Sequence, residues 1–249
     1  MERENRMAPN ELDDRLAATA KRLERELGGD LAMLAVYGSA ARGEYDPQRS
    51  DINLLVVLER ADAGTLRRVA TALEGARAWF RCAPFVLVRD ELASAADVFP
   101  IKFLDIRRTH RLLAGTDLLA TVVVRPCDLR LACETDVRNV ILKLRRALVV
   151  DGPDVRALTA TLRRFVPQVL GALGVMMSLT GVEPPASRDA LLEVAATRFG
   201  FDAGPLREAL AASRQRDPTW PRMEKAYDDL LRELDTICRA ADRLPEGPS

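Results

Sequence analysis

Two short pieces of the sequence could together hold a phosphate chain and a metal ion. Gly38 and Ser39 end one apolar run, and Asp51, Ile52 and Asn53 begin the next. A glycine lets a phosphate approach the backbone, and a serine hydroxyl with neighbouring amides can donate to its oxygens. Side chains of a strand alternate between its two faces, so Asp51 and Asn53 share a face and can reach one ion. The pattern predicts a phosphate-binding turn beside a divalent-metal site.

Two arginines lie in the loop between these pieces. Arg42 and Arg49 are close enough in sequence to reach phosphates that the turn would hold. A guanidinium can bind a phosphate through two parallel hydrogen bonds. We therefore expect both arginines at the same site.

The stretch 38–57, GSAARGEYDPQRSDINLLVV, resembles the nucleotidyltransferase superfamily that includes DNA polymerase beta, and especially its minimal and antibiotic-modifying members. The resemblance rests on Gly-Ser, a spacer and Asp-Ile-Asn, and it covers residues 12–115 well. It implies a bacterial-type transferase that moves a nucleoside monophosphate from a nucleoside triphosphate, with ATP expected first, to a hydroxyl group of a small molecule or a protein. It implies Mg²⁺ at Asp51 and Asn53, and nucleotide binding by Gly38, Ser39, Arg42, Arg49 and Ser50.

The acidic residues depart from the family pattern. A second carboxylate is usual where this chain has Asn53, whose neutral oxygen should hold a second metal ion more weakly. The family's third carboxylate lies on a later strand, and PFVLV at 84–88 carries none. A general base could come from Asp105 or, as in some antibiotic-modifying relatives, from the helical half, where Glu134 precedes Arg138 by one turn. An acid in the first turn of a helix is equally explained by the helix dipole.

Two functions therefore stay open. The first is a working nucleotidyltransferase. The second is a catalytically impaired protein of the same fold that binds nucleotides or protein partners, with a toxin–antitoxin pair as one setting. Asn53 and the strand without a carboxylate favour the second.

The elements that must position these residues form two regions, 1–120 and 121–249. Apolar periodicity in the first predicts a mixed sheet with helices, an α+β domain of nucleotidyltransferase type. The second shows helical periodicity only and predicts an all-α bundle. The predicted helices are 11–27, 63–80, 91–98, 127–150, 154–180, 187–199, 205–215 and 221–244, and the predicted strands are 31–39, 51–59, 83–88 and 100–106.

Composition narrows the remaining function classes. Lys and Arg total 37, as do Asp and Glu, so no broad nucleic-acid binding is expected, although a local basic patch fits this balance. Four cysteines without CxxC spacing and a single His110, in a basic turn, offer little to zinc. The apolar stretch 165–181 is shorter than the roughly 20 residues of a spanning helix and predicts a buried helix. We therefore expect no membrane association. We also expect a cytoplasmic location, because no signal-like segment begins the chain. Formation of a homo-oligomer stays open.

Overall fold

The chain divides into two compact units, Met1–Val124 and Arg125–Ser249. The structure is a computed structural model that describes residues 9–47, 50–185, 187–212 and 220–245. The first unit contains α1 (Pro9–Leu27), β1 (Leu31–Tyr37), β2 (Ile52–Leu58), α2 (Ala63–Arg77), β3 (Cys82–Val88), α3 (Leu92–Val98), α4 (Pro100–Thr109) and β4 (Arg111–Gly115). The second contains α5 (Pro126–Asp151), α6 (Val155–Leu179), α7 (Arg188–Phe199), α8 (Ala203–Ala212) and α9 (Trp220–Asp242).

The four strands form one mixed sheet in the order β3-β2-β1-β4. β1 is antiparallel to both β2 and β4, whereas β2 and β3 are parallel. The end of β1 and the beginnings of β2, β3 and β4 therefore meet at one edge of the sheet. This mixed sheet, followed by a helical region, confirms the predicted fold class.

Helices cover both faces of the sheet. Leu34, Val36 and Leu54 pack on one face with residues of α1 and α2. Ala35, Leu55 and other residues of the opposite face pack with α3 and α4. Because β1 and β2 are buried on both faces, they are apolar runs without polar alternation.

The prediction of a fourth strand at 100–106 was wrong, because these residues belong to helix α4. Pro100 occupies the first turn, where a missing amide proton costs nothing. Phe103 and Ile106 are fully buried at helical spacing, while Asp105 between them is half exposed. A short apolar run fits either element, and packing on the sheet decides for the helix. The fourth strand is instead Arg111–Gly115, which begins directly after His110.

In the second unit, α5 packs against α6 and α9. Asp154 caps the start of α6, because its carboxylate accepts hydrogen bonds from the amides of Arg156 and Ala157 at 2.9 and 3.1 Å. The apolar stretch 165–181 lies mostly in α6, where Val169, Leu173 and other side chains are buried, as predicted. Within the described ranges, no helix is long and apolar enough to cross a membrane.

Two phenylalanines at the start of α4 test how this helix packs. Phe103→Ala should lower the free energy of unfolding by about 3–5 kcal/mol, because it empties a fully buried site. Phe99→Ala should cost only about 1 kcal/mol, since Phe99 is half exposed and makes one edge contact with Phe85. Urea unfolding of both variants measures the difference, and equal losses would contradict the packing of α4.

Candidate functional site

A tight turn follows β1 at the edge where the strand ends meet. Gly38 has a φ of +73°, a conformation that favours glycine. The amides of Ala41 and Arg42 both donate to the Gly38 carbonyl at 3.1 Å, and the Glu44 amide donates to the Ser39 carbonyl at 2.8 Å. The amides of Ser39 and Ala40 take no part in these bonds. They are the groups of the turn that can donate to a phosphate.

Gly38 also joins the turn to β2 and α4. Its amide donates to Thr109 Oγ1 at 3.3 Å, and that hydroxyl donates to the Asp105 carbonyl at 2.8 Å. A Cβ atom at position 38 would lie 3.1 Å from Asn53 Nδ2, which is closer than a normal contact. The absence of a side chain at Gly38 is therefore what lets Asn53 lie against the turn.

Asp51 immediately precedes β2, and its carboxylate is paired with a cation. Arg81 Nε lies 2.8 Å from Asp51 Oδ1, and both side chains are at least half exposed. Arg81 precedes β3, whose parallel pairing with β2 places Ile52 beside Cys82. The Ile52 amide also donates to the Arg81 carbonyl at 2.8 Å. Asp51 is the principal predicted metal ligand, and its negative charge is thus balanced by Arg81, which lies just before the neighbouring strand.

Asp105 of α4 lies at the same edge of the sheet. Arg42 Nη1 lies 3.4 Å from Asp105 Oδ1, while Arg42 Nε donates to Glu44 Oε2 at 2.8 Å. Burial, together with the charge of Asp105, raises the pKa of Tyr37 to about 12. The structure therefore brings Asp105 together with the turn, Arg42 and the end of β1.

No third carboxylate lies beside Asn53 on β3. The partner of Asn53 on that strand is Ala83, and Phe85 follows on the same face. Asp90 follows the far end of β3, and since β2 and β3 are parallel that end is opposite to Asp51. The strand therefore contributes apolar side chains where the family pattern has an acid.

These donors fit one magnesium ion and not two. Mg²⁺ binds through one or two protein oxygens and completes its shell with water and substrate phosphates. Asp51 and Asn53 provide such oxygens on the side of the sheet that carries Leu55 and Val57. Across the part of the chain that the structure describes, no three His, Cys, Asp or Glu side chains are grouped to hold a metal ion.

The remaining predicted residues are placed as follows. Ser50 is half buried, and its amide donates to the Asp46 carbonyl at 2.7 Å. Arg49 lies outside the described residues. Glu134 belongs to the second unit, and because α5 begins at Pro126 it lies in the helix interior, so the prediction of a first-turn acid was wrong.

Glu134 is tied to its own unit by two ion pairs. Its Oε1 lies 2.8 Å from Arg138 Nη2, and its Oε2 lies 3.8 Å from Arg130 Nη1. Arg130 also lies 3.4 Å from Asp242 Oδ1 at the end of α9. Both carboxylate oxygens of Glu134 are therefore engaged by arginines of α5, and Arg130 extends one of these contacts to α9.

Sequence reasoning missed Thr109, Arg81 and the position of His110. Asp105 and Thr109 are four residues apart, so a helix over 100–109 would have placed them on one face. The predicted strand concealed that relation. His110 Nε2 lies 3.1 Å from Asp117 Oδ2 and its Nδ1 lies 3.0 Å from the Ile106 carbonyl, so this side chain joins the end of α4 to the loop after β4. Arg81 gave no signal, because only strand pairing brings it to Asp51.

Residues 16–98 match the sequence pattern of a family described as the nucleotidyltransferase domain. The matched range contains the turn, Asp51, Asn53 and Arg81, and it ends with α3. The first unit of this chain is therefore similar to a nucleotidyltransferase domain over these residues. A comparison of the sequence with curated proteins gives no match.

Two solved structures are similar to this chain beyond that range, and one of them has a TM-score above 0.5. The spectinomycin adenyltransferase of Enterococcus faecialis, solved with ATP and spectinomycin, is 13% identical with a TM-score of 0.55, over 93% of this chain and 99% of that chain. A nucleotidyltransferase-like protein from Exiguobacterium sibiricum is 12% identical with a TM-score of 0.34, over 91% of this chain and 75% of that chain. The first of these shares the fold of both units.

Two glycines of the turn provide a matched test of the contact with Asn53. Gly38 and Gly43 both have positive φ, so either alanine substitution should cost about 1–2 kcal/mol of stability. A Cβ at Gly43 meets nothing within 4 Å, whereas one at Gly38 meets Asn53. We expect only Gly38→Ala to shift the side-chain amide resonance of Asn53 in an NMR spectrum. A comparable shift in Gly43→Ala would contradict this account of the turn.

Proposed function

We propose that this protein transfers a nucleoside monophosphate from a nucleoside triphosphate to a hydroxyl group, with release of pyrophosphate. The observation that carries the proposal is the convergence of the Gly38 turn, Asp51 and Asn53 at one edge of the sheet, inside the matched nucleotidyltransferase range. ATP is the proposed donor, since the neighbour solved with ATP is an adenyltransferase. The proposed acceptor is a small molecule or a protein.

The turn would hold the phosphates. The amides of Ser39 and Ala40, with the Ser39 hydroxyl, would donate to the β and γ phosphates. Arg42 would add a charged donor, and its present bonds to Glu44 and Asp105 would then be exchanged for phosphate oxygens. Arg49 and Ser50 follow in the same loop and are proposed to contribute to the same site.

Asp51 and Asn53 would hold a magnesium ion, which neutralises charge on the triphosphate when it is bound. Asp51 would have to give up its contact with Arg81. An exposed ion pair of this kind contributes only about 0–1 kcal/mol to stability, so replacing it by a contact with the metal ion costs little free energy. Arg81 would then be free to face the added negative charge of the nucleotide.

Asp105 is the proposed general base that accepts the proton of the attacking hydroxyl. It lies at the edge of the sheet with the turn, and only its Oδ1 is engaged, at the longer distance of 3.4 Å from Arg42. Glu134 is the weaker candidate, because both of its oxygens are engaged by arginines of its own helix.

A nucleotide-binding protein without catalysis is the second candidate function. Ala83 beside Asn53 favours it, because the register leaves this part of the sheet without a second or third carboxylate. Such a protein would keep the phosphate-binding turn and bind the nucleotide without turnover. Release of pyrophosphate in the presence of an acceptor would separate the two functions.

The carboxylate of Asp51 and its ion pair can be tested separately. In wild-type protein, Mg²⁺ with ATP at about 100 times its dissociation constant should add about 2.7 kcal/mol to the stability of the folded state. Asp51→Ala should abolish the part that depends on Mg²⁺, because it removes a metal ligand. Arg81→Ala breaks the same ion pair but keeps the ligand, and should retain the effect. Thermal unfolding with and without Mg²⁺ measures this. Equal responses of wild type and Asp51→Ala would exclude the proposed site.

Restoring a carboxylate at position 53 tests the fit of the metal. Asn53→Asp should strengthen Mg²⁺ binding by about tenfold, equivalent to about 1.4 kcal/mol, because it adds a charged oxygen beside Asp51. Asn139→Asp adds the same charge on the exposed side of α5 in the other unit and serves as the control. Isothermal titration with Mg²⁺ in the presence of ATP provides the measurement. The same gain in both variants would show a general charge effect and no site at Asn53.

A further inference from the structure

The hairpin formed by α5 and α6 has more cations than acids, in a chain whose formal net charge is zero. Between Asp136 and Glu183 the sequence has only two acids, Asp151 and Asp154, although Lys and Arg equal Asp and Glu over the whole chain. The same stretch has seven cations: Arg138, Lys143, Arg145, Arg146, Arg156, Arg163 and Arg164. Residues 137–182 therefore have a net charge of +5, and the whole of α5 and α6 with their connection, residues 126–179, has eight cations and five acids, a net charge of +3.

Most of these cations have no acidic partner. Within the described ranges, no salt bridge joins an acid to the exposed side chains of Lys143, Arg145, Arg146, Arg156 or Arg164. Elsewhere in the same unit the pattern differs, because three cations of α9 pair with acids on their own helix: Lys225, Arg232 and Arg239. Asp154 is already used as the cap of α6. The hairpin thus has an excess of positive surface charge, although Asp136 lies near enough to Lys143 for the two charges to interact.

Three of the cations without a salt bridge, Lys143, Arg146 and Arg164, are close together. We call these three residues and Phe165 the hairpin seam. Lys143 Nζ lies 4.5 Å from the centre of the Phe165 ring, and Arg164 Cζ lies 5.3 Å from it. Arg146 is one turn after Lys143 and so lies on the same side of α5. Like charges at this separation destabilise a free helix surface. An anionic ligand would remove that cost.

The side chains of the hairpin seam favour one class of anionic partner over the others. A protein interface needs an aromatic or apolar anchor at its centre, and Phe165 is half buried with two cations against its ring. A flat anionic membrane would also meet Asp151 and Asp154 at the tip of the hairpin, whereas a single strand can contact the seam alone. A phosphodiester backbone needs only positive charge and donors, and guanidinium groups match its oxygens.

We propose that the hairpin seam binds the phosphate backbone of a nucleic-acid strand without reading its bases. The binding is local to the second unit and does not depend on the proposed transfer reaction. It is compatible with the zero net charge of the chain, because the rest of the protein has the balancing acids. Backbone contacts of this kind make the affinity fall steeply with salt.

The test uses the full-length protein and fluorescence anisotropy with labelled single-stranded RNA and duplex DNA of mixed sequence, from 50 to 200 mM salt. The triple variant Lys143→Gln, Arg146→Gln and Arg164→Gln should lose about tenfold or more in affinity at low salt. Its salt slope for the single strand should fall by about 2, which corresponds to three phosphate contacts at about 0.7 each. Binding to both probes would assign the shared backbone, and binding to one would assign that strand form.

The control variant carries Lys225→Gln, Arg232→Gln and Arg239→Gln, which remove the same charge from paired positions on α9. It should keep the affinity of the wild type within about twofold, and circular dichroism should confirm that both variants are folded. If the seam variant does not fold, Lys143→Gln and Arg164→Gln alone replace it.

Several outcomes would overturn the proposal. They are equal losses in the two triple variants, no binding of either probe at 50 mM salt, or seam-dependent binding that is stronger to poly-glutamate or to phosphatidylserine vesicles. Asp51→Ala should leave nucleic-acid binding unchanged. Failure of nucleotide transfer and failure of the seam are therefore separate results.

Discussion

The candidate site depends on one constraint, the pairing of β2 with an antiparallel strand on one side and a parallel strand on the other. Antiparallel pairing sets Tyr37 opposite Asn53, so the turn after β1 lies beside the start of β2. Parallel pairing sets Ala83 beside Asn53 and brings Arg81 to Asp51. Since neighbouring strands are only about 5 Å apart, groups at the end of β1 and the starts of β2 and β3 lie close together.

Charge is distributed differently in the two units. At the sheet edge each acid has an arginine against it, as Asp51 has Arg81 and Asp105 has Arg42. A nucleotide or metal ion must exchange these contacts, and their exposure keeps the energetic cost of that exchange low. On the hairpin of the second unit, Arg146 and Arg164 form no salt bridge with an acid among the described residues. A ligand there would meet uncompensated charge from the outset.

Burial of apolar side chains explains both where sequence reasoning succeeded and where it failed. Long periodic helices and fully buried strands were predicted well, because burial of a continuous apolar face dictates the pattern. The run 100–106 was misread, because seven residues with alternate apolar side chains fit both a strand and a helix. The core decided by burying Phe103 and Ile106 together against the sheet. That error hid the relation between Asp105 and Thr109, and with it one side of the candidate site.

By itself, the sequence determined the order of elements as far as α3 and from α5 onward, and the turn that follows the first strand at Gly38, because these rest on local patterns. It also placed Asp51 and Asn53 on one face of a strand. It also determined the acid-poor hairpin, because charge composition can be read without a fold. Only the tertiary structure decided which groups meet. Strand register brought Arg81 to Asp51, and the packing of α4 brought Thr109 to Gly38. Such contacts join residues far apart in the chain, and local patterns contain no information about them.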